Sequence, residues 1–90
     1  MRISGRANFK CTYHMLDRLN ERVTYFETRS EAVDFCRRAL ANREPSFTVL
    51  NGSKVSKVIS DDLVFIIDTK DPWNIVLITV YNFAEYQEAI

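Results

Sequence analysis

From Ser46 onward the apolar residues stop recurring at helical spacing and begin to alternate, and this switch constrains the fold more than any other feature of the chain. Pro45 stands at the change and has no backbone N–H with which to continue a helix. Asn51-Gly52 then supplies the residue pair that a two-residue type I′ hairpin favours, because both positions must take positive φ. Residues 46–50 and 54–59 are expected to be its two strands. Ser60-Asp61-Asp62 turns the chain, and LVFIID at 63–68 forms a third strand rich in β-formers. Lys70-Asp71-Pro72 turns it again, and NIVLITVYN at 74–82 forms a fourth. These last two strands are apolar on both alternations, as expected of central strands covered on at least one face. Residues 83–90 read as a short helix or a tail.

Before Pro45 the pattern is helical. YHMLDRLNER predicts a helix over 13–22 with Thr12 as its N-cap. Met15, Leu16, Leu19 and Val23 cover one sector of it, and Asp17, Asn20 and Glu21 fall opposite. Thr28-Arg29-Ser30-Glu31 matches a capping box, and Ala32, Val33, Phe35, Cys36, Ala39 and Leu40 form the core stripe of a second helix over about 30–42. RANFKC at 6–11 reads as a short extended lead-in. The expected fold is α+β, a single domain over 1–90 with two N-terminal helices packed on a four-stranded antiparallel β-meander.

Composition excludes several classes. Hydrophobic residues at 47% and charged residues at 27% argue against disorder. No apolar run approaches the roughly 20 residues that span a bilayer. No secretion signal follows the charged N-terminus, so a cytoplasmic protein without membrane partners is expected. Cys11 and Cys36 lack the spacing of a zinc site, so they read as thiols of a reducing compartment, with no metal or cofactor. Net charge is zero but uneven. Residues 1–43 carry nine Lys/Arg against five Asp/Glu, and residues 44–90 carry three against seven. A basic helical half suits nucleic acid, and Arg37, Arg38 and Arg43 crowd the end of the second helix. Their simpler role is to offset the helix dipole.

His14, Arg18 and Arg22 are four residues apart, so they share one face of the first helix along the border of its apolar sector. Imidazole moves protons near neutral pH, and guanidinium grips phosphate oxygens with a planar fork. His14 is the only histidine. In the last strand Thr79 and Tyr81 share a face, with Ile75 and Leu77 beginning it, while Val76, Ile78 and Val80 point the other way, towards the helices. If the first helix crosses the end of this strand, His14, Arg18, Thr79 and Tyr81 converge. The bland counterpart is a solvated helix border with a local Arg18–Glu21 pair and two ordinary strand residues.

The combination H-x3-R-x3-R on an N-terminal helix with a meander ending in I-T-V-Y resembles a superfamily of small nucleases. It includes RelE-type toxins, barnase-like ribonucleases and colicin-type transfer-RNA cutters, with many bacterial and phage-borne domains. The resemblance implies a metal-independent endoribonuclease in which the ribose 2′-hydroxyl attacks the adjacent phosphate. His14 would be its general acid or base, and Arg18 and Arg22 would stabilise phosphate charge. Thr79 and Tyr81 would position the phosphate or assist proton transfer. The implied partner is RNA, with transfer RNA among the candidates. The alternative is a non-catalytic phage or host-takeover protein of the same fold, binding a host protein through its basic helical face or through the sheet edge at Ser46–Leu50. A homodimer using the two-faced apolar strand 75–83 is a third reading.

Overall fold

A computed structural model describes residues 1–89. Ile90, the end of the expected helix or tail, lies outside the described residues. Among them the chain runs β1 (Asn8–Cys11), α1 (Tyr13–Arg22), α2 (Arg29–Leu40), β2 (Ser46–Leu50), β3 (Ser53–Ser60), β4 (Leu63–Asp68), β5 (Asn74–Asn82) and α3 (Phe83–Ala89). The α+β class and the meander from β2 to β5 are as the periodicity suggests. The count and the sheet type are not. The sheet has five strands in the order β1-β5-β4-β3-β2, and β1 lies parallel to β5. The lead-in is thus a strand of a mixed sheet, and a third helix follows β5.

Local chemistry accounts for the element ends. The Thr12 hydroxyl accepts from Met15 N–H at 3.1 Å, and the Thr28 hydroxyl accepts from Glu31 N–H at 3.2 Å. Helix α2 stops at Leu40, short of the expected 42, because Asn42 turns into positive φ at 65°. Asn51 and Gly52 have φ of 51° and 81°, which closes the β2–β3 hairpin.

Helices α1 and α2 cover one face of the sheet. Met15, Leu19, Ala32, Cys36 and Leu40 meet Phe9, Phe65, Ile67, Ile75, Leu77 and Val80 in the main core. The opposite face carries a smaller cluster of Val64, Ile66 and Tyr86, with Leu50, Val55, Ile78 and Tyr81 beside it, and α3 supplies its lid.

The expected facing of β5 is corrected by a bulge. Ile67 pairs with Leu77, but Ile66 pairs with Thr79, so Ile78 is an extra residue on β5. Alternation therefore slips by one. Ile75 and Leu77 face the helices together with Val80, and Ile78 joins Tyr81 on the opposite face. Thr79 and Tyr81 do share a face, as their spacing requires, but Ile75 and Leu77 are not on it. Strand β5 lies inside the sheet between β1 and β4, and its Ile75, Leu77 and Val80 are buried within the single chain.

Candidate functional site

Strand β1 pairs with β5 only over Asn74–Leu77. Beyond that point the outer edge of β5 has no strand neighbour among the described residues, and α1 takes its place. At the start of the helix the Thr12 hydroxyl donates to Leu77 O at 3.4 Å, and at its end Arg22 Nη1 donates to Val80 O at 2.9 Å. The ridge formed by His14, Arg18 and Arg22 therefore rises from a helix that lines this stretch of β5.

The three ridge residues have different surroundings. His14 is exposed. It follows Tyr13, which is exposed and lies under the Arg29 guanidinium, 4.5 Å from the ring centroid. Arg29 also donates to Cys11 O at 3.4 Å. Arg18 is half-buried and pairs with Glu21 at 2.8 Å. Arg22 wraps the edge of β5. Its Nη2 meets the Glu85 carboxylate of α3 at 2.7 Å, and its guanidinium carbon lies 5.1 Å from the centroid of Tyr81. The side chain of Arg22 is only 19% exposed, so it ties α1, β5 and α3 together.

Of the five residues read as catalytic, the structure brings Arg22 and Tyr81 together. Thr79 is 4% exposed and sits opposite Ile66, on the sheet face away from α1 and α2. It does not join His14 and Arg18 on the helix ridge. Tyr81 is half-buried on that same face and packs on Tyr86 with ring centroids 6.0 Å apart.

Of the three arginines read as nucleic-acid contacts, Arg37 separates from the other two. Arg37 lies over Phe9 at 5.2 Å, donates to Ala7 O at 3.3 Å and approaches Asp34 at 3.6 Å, so it is tied to β1 and its own helix. Its Nε is buried without a partner among the described residues. Arg38 and Arg43 are exposed and line one shallow depression of about 260 Å³ with Phe35, Ser60 and Asp61. The Asp61 carboxylate opposes an anion there. Arg43 lies beyond the end of α2.

Arg29, Glu85 and Tyr86 were not singled out by sequence reasoning, because their partners are remote in the chain. The Tyr86 phenol sits near the Thr48 hydroxyl at 3.5 Å and Lys57 Nζ at 3.4 Å. The hydrogen bond with Thr48 is the main cause that holds its pKa below the ordinary value, with help from Lys57, while burial works in the opposite sense. Among the described residues no group of three or more His, Cys, Asp or Glu is placed to hold a metal ion, and no helix is long and apolar enough to cross a membrane. No family model, curated protein or solved structure matches the chain.

Proposed function

We propose that this protein acts on RNA through the α1 ridge, as a metal-independent endoribonuclease of RelE/barnase-like layout. One observation carries the reading: an exposed imidazole at His14 follows directly in the chain on Tyr13, whose exposed ring stacks with Arg29, and Arg18 lies one turn on along the face of His14. The Tyr13 ring offers a surface on which a base stacks, and Arg29 and Arg18 offer cations to the backbone phosphates. His14 then takes the proton from a ribose 2′-hydroxyl, or returns one to the departing 5′-oxygen. Arg18 is free for this work. Its pair with Glu21 is a surface contact worth roughly 0.3–0.5 kcal/mol, which a phosphate can displace. In this reading Arg22 is a positioning residue that fixes α1 against β5, and Tyr81 sets its orientation.

A second reading has its own support. Thr79 lies on the far face and Arg22 is engaged by Val80 and Glu85, which leaves the ridge short of phosphate-holding groups and favours non-catalytic binding. The two readings separate in one experiment. Wild type and His14→Ala are incubated in EDTA with total bacterial RNA and a transfer-RNA pool and resolved on a denaturing gel. Discrete fragments from wild type alone, ending in 2′,3′-cyclic phosphate, are the expected result. Intact RNA with both proteins, together with RNA retention that Arg18→Ala and Arg29→Ala weaken, establishes binding without cleavage. Neither cleavage nor retention overturns the RNA assignment.

A further inference from the structure

We infer that β2 is the contact surface between two copies of this chain, which join edge to edge into one continuous sheet. Strand β2 is the last of the sheet and, among the described residues, pairs only with β3. Its sequence, SFTVL, holds no charge, proline or glycine, and its register with β3 runs without a slip from Ser46–Lys57 to Leu50–Ser53. None of the usual protections of an open edge is present in it. Phe47 is 85% exposed and Val49 is 63% exposed, and both stand on the same face.

The backbone fixes which partner fits. In a two-residue hairpin the closing pair, here Leu50 and Ser53, is hydrogen-bonded, and bonded and non-bonded pairs alternate from there. Ser46, Thr48 and Leu50 thus turn their N–H and C=O groups towards β3, and Phe47 and Val49 turn theirs to the open edge. An identical antiparallel strand with its two-fold axis at Thr48 places Phe47 opposite Val49 of the second copy, and Val49 opposite Phe47. All the outward groups of both strands then find partners. The same register sets each exposed aromatic ring against an exposed β-branched side chain, a favourable cross-strand pair. Moving the axis to Phe47 brings in Pro45, which has no N–H to give. The strand is self-complementary in hydrogen bonding and in side chains, as a two-fold interface must be. A net charge of zero adds no long-range repulsion between copies.

The inference is independent of the RNA assignment, and the assay is the oligomeric state. Sedimentation and light scattering of wild type over a wide concentration range should give a mass rising to twice that of the monomer. Phe47→Lys with Val49→Lys should remain monomeric with an unchanged circular dichroism spectrum, since both side chains are exposed in the single chain. Phe47→Glu with Val49→Glu should behave likewise, and mixing the two charged variants should restore a dimer, because each Lys then faces a Glu. Thr48→Cys sits on the proposed axis and should cross-link under mild oxidation, whereas Phe47→Cys should not. Wild type that stays monomeric throughout overturns the inference, and so does a dimer that the paired Lys substitutions leave intact.

Discussion

Arg18 and Arg22 stand one helical turn apart on α1, and their surroundings assign them different work. Arg18 holds only Glu21, a neighbour on its own helix. Arg22 holds a carbonyl and a carboxylate that lie 58 and 63 residues further along the chain, with an aromatic ring beside them. Removing Arg22 leaves Val80 O without its donor and Glu85 without its cation. Arg22→Ala should therefore cost roughly 1.5–3 kcal/mol, the range for hydrogen bonds to charged groups. Arg18→Ala should cost under about 0.5 kcal/mol. Urea unfolding of the two variants checks the difference, and equal losses would remove Arg22 from its tying role. The helix spacing made the ridge legible from sequence, and the border position of Arg18 with it. The anchoring of Arg22 was not legible, because nothing local in YHMLDRLNER announces Val80 or Glu85. The same holds for the Arg29–Tyr13 stack, whose members belong to different helices.

At the scale of elements, whatever depended on neighbours in sequence was readable. Helix α1 and strands β2, β4 and β5 appear with the expected bounds, because capping residues, turn residues and periodicity act over a few positions. The parallel pairing of β1 with β5 was not readable, since a parallel partner leaves no turn signal. The bulge at Ile78 was equally silent. In a strand as apolar as NIVLITVYN the period cannot show where it slips, and so the face of Ile75 and Leu77 was inverted. The bulge bears on the candidate site, because it keeps Thr79 on the face away from the helices while Ile75 and Leu77 turn towards them. Two caps allow a test of how α1 is held. Thr12 caps α1 and also bonds to Leu77 O, whereas Thr28 caps α2 alone. Thr12→Ala should cost about 1–2 kcal/mol and Thr28→Ala about 0.5–1 kcal/mol, measured by thermal or urea unfolding. Thr12→Ser should recover most of the first loss, because it restores the hydroxyl.

For the molecule as a whole, stability should fall in alkaline solution, and one buried thiol gives the direction. Burial, reinforced by the nearby Cys11, pushes the Cys36 thiol from 9.0 up to about 12. Below about pH 9 both the folded and the unfolded chain keep the proton, and this group adds no pH dependence. Above it the unfolded chain ionises while the folded chain does not, so stability is lost progressively as pH climbs through the window from 9.0 to about 12. Tyr86, whose phenol is held below its ordinary value, acts in the opposite sense. Urea midpoints at about pH 8 and about pH 10.5 should differ more for wild type than for Cys36→Ala. Equal differences would mean that Cys36 does not carry the effect. The parallel pairing of β1 with β5 has a further consequence, for biosynthesis. A ribosome releases β1, α1 and α2 first, and β5, the strand on which β1 and α1 rest, comes last of the five. Until β5 is available, β1 has no strand partner and the apolar face of α1 has no sheet strand beneath it. The sheet of this protein is therefore completed only after Asn82 has been made.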